Sequence, residues 1–357
     1  MNAHHYYING VGILSPQRTY DNQEFLSQVT SSYGVTLPCM VPDFKEYINP
    51  LQLRRLSHML RIGLTTATIC VRDSGNVSPD GIITATGYGF LKDTEKFLKE
   101  ILEQHEKHLT PTFFMQSTYN ALSGLVALSL KCSGYNNTFV NKGFSFETAL
   151  HDAMMQLNEN ASQTFLVGGY DESDETQFKI KSRIGYYKTE PINNLELFQQ
   201  STPGSLQGEG CAFFSISGTA TENNWCRLKD VKMVFMPASE EILLIELHAF
   251  LERNEVMGHV DVLISGVSGD VIHDRFLLSM AEKKFDHMPH LRFKHLCGEY
   301  CTASAFGLWL GASILKKQEI PPVVRFNKVS ARFPVRTIFL VNQYMGRNYS
   351  LILIQQA

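Results

Sequence analysis

The sequence predicts an α/β protein, in which short strands alternate with helices that pack on the faces of a sheet. Two observations predict this class. Short runs rich in β-branched and aromatic residues recur along the 357-residue chain, and stretches with helical hydrophobic periodicity separate most of them. The order of these elements is similar in the two halves, so we expect a pseudo-duplication even though no sequence repeat is clear.

The first half opens on an apolar strand-like run and then mixes helices and strands. A proline near the start of residues 50–71 favours a helix beginning there. Residues 94–106 have an amphipathic helical pattern, whereas the small and apolar residues of 119–130 predict a helix buried on most sides. The predicted elements are strands at 6–14, 81–86, 138–140, 164–170 and 210–216, and helices at 50–71, 94–106 and 119–130.

The second half repeats the alternation. Apolar runs such as VDVLISGV at 260–267 are interpreted as strands, and residues 303–316 as an apolar helix. A loop-like stretch at 217–224 separates the halves and divides the chain into 1–218 and 219–357. The predicted elements here are strands at 227–235, 260–267, 291–296, 337–342 and 349–354, and helices at 240–253, 274–284 and 303–316.

Residues 136–157 contain a strand, a tight turn and a helix, the arrangement with which many enzymes present a nucleophile. The strand is Thr138-Phe139-Val140 and the turn is 141–143. The apex of the turn nevertheless carries Gly143, with no cysteine or serine. The helical stretch that follows has one apolar face, formed by Phe146, Ala149, Leu150 and Ala153.

Composition and charge exclude several classes of function. The net charge of −3, from 32 basic and 35 acidic residues, gives no global electrostatic reason to bind nucleic acid or an anionic membrane. No apolar run approaches the roughly 18 residues needed to span a bilayer. The first residues, MNAHHYYINGVGIL, lack the basic and apolar regions of a secretory signal. We therefore expect a cytoplasmic protein.

The cysteines and histidines indicate neither disulfides nor a metal site. Seven cysteines are present, and several lie inside apolar segments, which favours free buried thiols. The run His287-x2-His290-x4-His295-x-Cys297-x3-Cys301 has residue types suited to zinc but lacks the paired spacing of structural zinc sites. His295 and Cys297 are also expected on a strand and its turn, facing opposite sides. We expect no metal and no other cofactor.

Segments spread over nearly the whole chain resemble, in the same order, segments of the β-ketoacyl synthase family, which has the thiolase fold. The segment GYNNTFVNKGFSFETALHDA is similar to the strand, elbow and helix that carry the family's nucleophile. The resemblance implies two pseudo-duplicated halves in an α-β-α-β-α layered arrangement. The other similar segments are YINGVGILSPQ, RRLSHMLRIGLTTA, TPTFFMQSTYNALSGLVALSL, FLVGGYDES, GEGCAFFSIS, KHLCGEYCTASAFGLWLGASIL and VNQYMGRNYSLILI.

The family's chemistry needs a cysteine at the start of a buried helix and two histidines that stabilise an enolate or polarise a thioester. By the resemblance, the cysteine position falls at Gly143. The first histidine position, in GVSGDVIHD, falls at Gly266, or at Ser265 after a shift of one residue. The second falls at Glu299, while the accompanying Lys294 remains. The resemblance therefore implies a chain without catalytic residues, which does not form an acyl-thioester by the family's route.

The family also contains degenerate subunits, called chain-length factors, that pair with an active ketosynthase. The resemblance implies such a partner subunit, in a heterodimer or alone as a homodimer, that works with an acyl carrier protein in fatty acid, polyene or polyketide biosynthesis. The short, terminally divergent form of the chain resembles subunits from bacterial aryl-polyene or pigment clusters. In this fold Thr138-Phe139-Val140 lies at the dimer interface, and Phe113, Phe114 and Met115 reach towards the partner's acyl pocket. The last three could instead be ordinary core, as apolar triplets usually are.

Several other residues have two interpretations. Lys294 either keeps the family's structural hydrogen bonds or forms an ion pair with Glu299. The acidic run 171–175 is more typical of a solvated loop than of a metal or base cluster. Four basic residues fit either an acidic carrier protein or a scattered solvated surface: Lys179, Lys181, Arg183 and Lys188. Three cysteines are candidate substitute nucleophiles, although none is expected at a helix N-terminus: Cys132, Cys211 and Cys297.

Three functions remain open at this point. The first is a non-catalytic partner subunit of a ketosynthase. The second is an enzyme with relocated chemistry, a malonyl decarboxylase or an acyl hydrolase that uses Glu299, Lys294 or a cysteine. The third is a homodimeric acyl-binding protein that has no catalytic partner.

Overall fold

A computed structural model describes residues 5–357 of the chain. Its strands are β1 (Tyr6–Leu14), β2 (Tyr33–Gly34), β3 (Thr36–Leu37), β4 (Gly81–Ala85), β5 (Tyr135–Phe139), β6 (Thr164–Asp171), β7 (Ile192–Asn193), β8 (Gln207–Gly208), β9 (Gly210–Ser217), β10 (Cys226–Phe235), β11 (Val262–Ser265), β12 (His290–Arg292), β13 (Thr337–Tyr344) and β14 (Asn348–Gln355). Its α-helices are α1 (Pro50–Leu53), α2 (His58–Asp73), α3 (Leu91–Glu103), α4 (Pro111–Ser117), α5 (Ala121–Leu130), α6 (Ser145–Glu159), α7 (Glu175–Arg183), α8 (Glu240–Arg253), α9 (Arg275–Lys284), α10 (Lys294–Cys297) and α11 (Ser304–Lys317).

The long strands form one mixed sheet in the order β12-β11-β13-β14-β10-β1-β9-β6-β4-β5. Its centre is the antiparallel pair β1 and β10, in which Tyr6 lies opposite Leu228. The five long strands of each half lie in the same spatial order, counted outward from this central pair. Numbered by their position along their own half, they follow the order first, fifth, fourth, second and third. We therefore propose that the halves divide in the loop between β9 and β10, which gives units of 1–218 and 219–357.

Apolar clusters arrange the helices and the sheet in layers. The central cluster holds α6 and α11 against strands from both halves of the sheet. Helices α2 and α5 cover the outer face of the first half, and α8 and α9 cover that of the second. The predicted apolar face of α6 is fully buried: Phe146, Ala149, Leu150 and Ala153. Burial of each large apolar side chain contributes about 1.5–3 kcal/mol, so this helix is fixed firmly behind the elbow.

Most predicted elements are present, and the strand 6–14 and the helix 240–253 have the predicted bounds. The prediction of a single helix at 50–71 is wrong, because the structure has two helices there. Helix α1 ends at Leu53 and α2 begins at His58. Ser57 between them has extended backbone, with ψ of 169°, which interrupts the helical hydrogen bonds. The turn leaves Arg54 and Arg55 exposed.

Two further predictions about elements are wrong. The strand predicted at 291–296 ends at Arg292, and residues 294–297 form the short helix α10, in which Lys294 turns its amine into the interior. The burial predicted for α5 on most sides is also wrong, since Leu128 is 78% exposed. This helix covers the sheet with one face only, and its other face is open.

No helix in the described part of the chain combines the length and the apolar character that a membrane span requires.

Candidate functional site

The turn between β5 and α6 places the buried Gly143 within a single 3-10 turn, Lys142–Phe144. Ser145 fixes this turn, because its Oγ accepts a 2.8 Å hydrogen bond from the backbone N–H of Asn141. Lys142 has a φ of +47°, in the left-handed region, which costs a non-glycine residue on the order of 1–2 kcal/mol. The strand, elbow and helix that the sequence predicts are therefore present, and the elbow is strained.

The space above Gly143 is filled by Tyr344. A Cβ atom added at Gly143 would lie 2.7 Å from Cβ of Tyr344 and 2.8 Å from its Cδ1, well inside the 3.5–4.0 Å of ordinary carbon contacts. Because the backbone of β13 fixes Cβ of Tyr344, rotation of the ring does not remove this overlap. Tyr344 is 5% exposed and packs with Tyr187, Cys301 and Met345. The elbow thus lacks a reactive group and is also closed by packing.

The position expected for the first histidine is crowded as well. A Cβ atom at Gly266 would lie 2.1 Å from Oδ1 of Asn342 and 2.9 Å from its Cα. The adjacent Ser265 is fully buried, and its Oγ shares a 2.6 Å hydrogen bond with Nε2 of His290. Burial, with a smaller contribution from Arg292, lowers the pKa of His290 to about 3, so this imidazole is neutral.

The position expected for the second histidine carries a buried ion pair. Nζ of Lys294 lies 2.7 Å from Oε2 of Glu299, and the two side chains are 0% and 2% exposed. The same Nζ donates to the backbone carbonyl of Gln343 over 2.6 Å. Burial raises the pKa of Glu299 to about 7, although Lys294 opposes the shift. Of the two interpretations of Lys294, the ion pair is therefore observed, together with a backbone hydrogen bond.

A hydrogen-bonded network connects this pair to the loop that precedes α9. Nε2 of Gln343 donates to Oδ1 of Asp274 over 3.0 Å. Asp274 also accepts hydrogen bonds from the backbone N–H groups of Ser268 and Gly269, over 2.7–3.0 Å. Gly269 has a φ of +79°, a conformation that glycine adopts without strain. The polar framework around the three positions is thus ordered without an imidazole at any of them.

One imidazole near this framework, His273, was missed by the sequence analysis. Its Nδ1 lies 2.8 Å from Oδ2 of Asp270, and its ring packs edge-on against Tyr186. The side chain also covers the turn between β13 and β14, where a Cβ at Gly346 would lie 2.8 Å from Cδ2 of the ring. The hydrogen bond to Asp270 raises the pKa of His273 although burial opposes it. The available signal was the Asp-x-x-His spacing within GVSGDVIHD.

The acidic stretch 171–175 is not the solvated loop that the sequence predicts. Asp171 ends β6, is 5% exposed, and accepts hydrogen bonds from the backbone N–H groups of Gly87 and Thr302 over 2.8 and 2.9 Å. Asp174 is also buried and caps α7. The prediction was wrong because Asp171 satisfies backbone donors of distant turns, and Asp174 accepts from the backbone N–H of Gln177 in the first turn of α7.

The basic residues that follow are only partly a surface. Lys179 and Arg183 are exposed, whereas Lys181 and Lys188 are buried. Nζ of Lys188 donates to the backbone carbonyl of Thr202 over 3.0 Å, which stabilises the loop around it. Neither interpretation of the four basic residues, as a carrier-protein surface or as a scattered solvated surface, is therefore correct for all of them.

The remaining space at the centre is very small. A cavity of about 20 Å³ lies beside Tyr88, Lys181, Tyr187 and Cys301. Nζ of Lys181 lies 4.0 Å from the centroid of the Tyr88 ring, a cation–π contact that helps to close the space. This volume is about that of one water molecule, so it does not accommodate an acyl chain.

Strand β5 forms one edge of the sheet and pairs with β4 alone among the described strands. Oγ1 of Thr138 joins hydrogen bonds with Thr84 and Ser123 over 2.8 and 3.0 Å. Phe139 is half-buried and Val140 is 41% exposed. An open groove of about 780 Å³ follows this edge and is lined in part by Thr138 and Val140.

Helix α4 carries the apolar triplet that the sequence analysis singled out. Phe114 and Met115 are 56% and 60% exposed, and Phe113 is half-buried, so the interpretation as ordinary core is wrong. Phe113 and Met115 line a second groove, of about 730 Å³, and the C-terminal end of α4 borders the groove along β5. The basic side chains in the second groove are Arg54, Arg55, His58, Arg61 and Lys96.

The thiols do not form a substitute reaction centre. Each of the seven cysteines is free. Burial raises the pKa of Cys211 to about 12, and it also raises that of Cys297, which is the last residue of α10. Cys132 follows the end of α5 and is only half-buried. Among residues 5–357, no cluster of three or more His, Cys, Asp or Glu side chains is placed to hold a metal ion.

Comparison with known proteins supports this fold. Residues 39–184 match the family model described as "Beta-ketoacyl synthase, N-terminal domain". No curated protein matches the chain.

Solved ketosynthase structures match over almost the whole length. The ishigamide ketosynthase/chain length factor superposes with a TM-score of 0.81 at 15% identity, covering 99% of this chain and 100% of that one. A ketosynthase in complex with its chain length factor from Xenorhabdus doucetiae superposes with a TM-score of 0.80 at 14% identity, covering 99% of this chain and 98% of that one. A type II polyketide acyl-carrier protein in complex with its hexaketide-bound ketosynthase superposes with a TM-score of 0.74 at 15% identity, covering 99% of this chain and 100% of that one. The chain therefore has the α/β ketosynthase (thiolase-like) fold, with residues 39–184 matching the β-ketoacyl synthase N-terminal domain.

Proposed function

We propose that this chain is a catalytically degenerate β-ketoacyl synthase homologue that acts as the chain-length-factor-like partner of an active ketosynthase. The observation that carries the proposal is the packing of Tyr344 on Gly143, because a nucleophile at the elbow would overlap this tyrosine. Gly266 and Glu299, in place of the two histidines, leave an enolate without imidazole support. The pathway would be fatty acid, polyene or polyketide biosynthesis. Its aryl-polyene or pigment context rests on the sequence resemblance.

The free edge at β5 supports a partner subunit. An unpaired edge strand is a liability that proteins normally cover. Here the edge is bordered by exposed apolar side chains, since Leu128 is 78%, Tyr135 37% and Val140 41% exposed. A partner strand along β5 would satisfy the backbone groups and remove these side chains from water. The similar structures named above include ketosynthases together with their chain length factors.

The apolar triplet on α4 would then have a steric role. Phe114 and Met115 extend from the protein surface, and Phe97 supports Phe114 through a ring contact with centroids 5.4 Å apart. In the proposed heterodimer these side chains enter the partner's acyl pocket. Their volume limits how long the chain can grow there.

The second groove, beside α4, offers a surface for an acyl carrier protein. The surface expected around Lys181 and Lys188 does not, because both side chains are buried. Arg54, Arg55 and Lys96 line the second groove, and none of the three forms an ion pair within the described residues. An acidic carrier would gain electrostatic complementarity and a faster association rate there.

Relocated chemistry is disfavoured by the same geometry. Glu299 and Lys294 are paired and buried, and the nearby cavity of about 20 Å³ admits no acyl substrate. The buried thiols are held protonated, which removes their nucleophilicity. The homodimeric acyl-binding protein also fits the open β5 edge, and experiment separates it from the heterodimer.

The proposal is tested by purifying the chain alone and together with the ketosynthase encoded beside it, and supplying each with malonyl-loaded carrier protein. We expect no malonyl decarboxylation or condensation by the chain alone, and co-purification with an active ketosynthase. Turnover by the isolated chain would refute the degenerate assignment. A stable homodimer that does not bind the ketosynthase would favour the homodimeric acyl-binding protein.

Surface variants locate the interface. Val140→Glu and Leu128→Glu place a charge next to β5 and should abolish co-purification. The matched control is Ile245→Glu on α8, where Ile245 is 61% exposed and lies on the opposite half of the sheet. Equal loss of co-purification in all three would contradict an interface at β5.

A further inference from the structure

Strand β5 offers few backbone groups to a partner, because only alternate residues of a strand turn their backbone groups to the same edge. The carbonyl of Phe139 accepts a 3.1 Å hydrogen bond from the N–H of Thr86, which directly follows β4. The backbone groups of Phe139 therefore face β4, and those of its neighbour Thr138 face the free edge. The N–H of Thr138 is thus a donor that an incoming strand would use.

This donor is already occupied by a side chain of β5 itself. The N–H of Thr138 donates to Oδ1 of Asn137 over 2.8 Å. Nδ2 of the same carboxamide donates to the hydroxyl of Tyr135 over 3.3 Å, so both ends of the amide have a partner in one orientation. An asparagine that bonds to a neighbouring backbone N–H in this way competes with the hydrogen bonds of a sheet. The carboxamide and its two hydrogen bonds form the Asn137 cap.

The same edge carries none of the usual protection by charge or by proline. Proteins commonly protect an edge strand with lysine, with other charged side chains or with proline. The five residues of β5, YNNTF, include none of these. Every residue that lines the groove along β5 is uncharged as well. The Asn137 cap is therefore the feature of β5 that opposes the pairing of another strand.

Pairing along β5 requires release of the cap, and the number of caps released depends on the partner. Two copies of this chain that pair edge to edge would release two caps, one from each copy. A ketosynthase strand without such an asparagine would require the release of only one. Since the net contribution of one hydrogen bond corresponds to about fivefold in an equilibrium constant, two caps weaken self-pairing by about 25-fold and one cap weakens pairing with the ketosynthase by about fivefold.

We propose that Asn137 determines which strand pairs along β5. Its carboxamide caps Thr138 in the isolated chain, opposes the pairing of two copies, and rotates away when a strand of the active ketosynthase binds. This role rests on the proposed function, in which β5 is the interface with that partner. It makes one side chain favour the heterodimer over the homodimer.

The first experiment compares self-association of the full-length wild type with that of Asn137→Ala by sedimentation velocity over a concentration series. We expect Asn137→Ala to associate about 25-fold more tightly, because both caps are absent. The matched control is Asn160→Ala. Oδ1 of Asn160 accepts from the backbone N–H of Ser162 over 3.2 Å in an exposed turn after α6, outside the groove along β5. Its replacement removes the same side chain from a similar hydrogen bond and should leave self-association unchanged.

Amide hydrogen exchange measures the cap without any partner. At concentrations where each chain is monomeric, the N–H of Thr138 should exchange several-fold faster in Asn137→Ala than in the wild type or in Asn160→Ala. Asn137→Asp keeps an acceptor for this N–H and should retain the slow exchange of the wild type. This second variant keeps the test valid if Asn137→Ala fails to fold, since exchange as fast as that of a fully exposed amide would show that no acceptor is in place.

The outcomes for the cap and for the proposed function are separate. Equal self-association of Asn137→Ala and Asn160→Ala, or unchanged exchange of the Thr138 amide in Asn137→Ala, would overturn the role of Asn137. About fivefold tighter binding of the ketosynthase by Asn137→Ala would support it. Stronger self-association of Asn137→Ala without any binding of the ketosynthase would support the cap while contradicting the proposed function.

Discussion

Cβ of Tyr344 lies 2.7 Å from the point where any side chain at residue 143 would begin. The elbow after β5 and the hairpin of β13 and β14 come from opposite halves of the chain, so this contact joins the halves at the expected reaction centre. Gly143 and Tyr344 therefore form one packing unit, in which the position of Tyr344 requires glycine at residue 143.

The first prediction concerns Gly143→Cys. We expect a loss of stability of about 1–3 kcal/mol from overpacking, and no gain of condensation, because neither imidazole is present. Urea unfolding of the isolated chain measures the first effect, and transfer of an acyl group from carrier protein measures the second. Recovery of turnover in this single variant would show that the centre is not degenerate.

The matched control is Gly124→Cys on α5, where an added Cβ meets no atom within 4 Å. It introduces the same side chain without a clash and should unfold at the same urea concentration as the wild type or a higher one. Tyr344→Gly removes the overlapping Cβ as well as the ring, so it should cost less stability in the Gly143→Cys background than in the wild type, since the two substitutions are coupled. Strict additivity of the two would argue against a shared packing unit.

The second prediction concerns the pH dependence that Glu299 imparts. Its folded pKa, about 7, lies above the ordinary glutamate value of 4.5, so the native state binds more protons than the unfolded state between these values. Stability from this group is therefore fully present below about pH 4.5 and declines as the pH rises to about 7. The decline amounts to about 3 kcal/mol, at about 1.4 kcal/mol for each unit of pKa difference.

Glu299→Gln should remove this slope, and urea unfolding at a series of pH values from 4.5 to 8 checks it. Lys294→Met is the companion variant. It leaves the carboxylate unpaired and should cost about 3–5 kcal/mol at pH 8, with a smaller loss at pH 5, where Glu299 is protonated. The same slope in Glu299→Gln as in the wild type would place the pH dependence in other groups.

The sequence predicts the layers and the elbow because both depend on local signals. Hydrophobic periodicity marks the face of α6, and the strand–turn–helix pattern marks the turn at Gly143. The closing contact from Tyr344 depends on how the last hairpin lies over the elbow, and no local pattern encodes that. The acidic stretch was misjudged for the same reason, because Asp171 accepts hydrogen bonds from Gly87 and Thr302, which are far away in the sequence.

The third prediction concerns the strained residue of the elbow. Lys142 has a φ of +47°, and Lys142→Gly relieves this conformation. We expect stability to rise by a few tenths of a kcal/mol and by at most about 1 kcal/mol, because the glycine also loses more backbone entropy on folding. Lys179→Gly is the control, since Lys179 lies inside α7 and its replacement should instead destabilise by about 1 kcal/mol. Destabilisation by both variants would mean that the elbow stores no strain.

The fourth prediction concerns His273 and Asp270. The hydrogen bond between them holds the pKa of His273 above its ordinary 6.5, so NMR titration of the ring should give a midpoint above that value. The stability that the pair contributes is fully present below pH 6.5 and is lost as the pH rises through the folded pKa. Asp270→Asn should lower the midpoint and flatten this part of the stability profile, whereas Asp286→Asn, at an exposed carboxylate on another turn, should leave the His273 midpoint unchanged. A His273 midpoint that does not respond to Asp270→Asn would mean that the carboxylate does not control this imidazole.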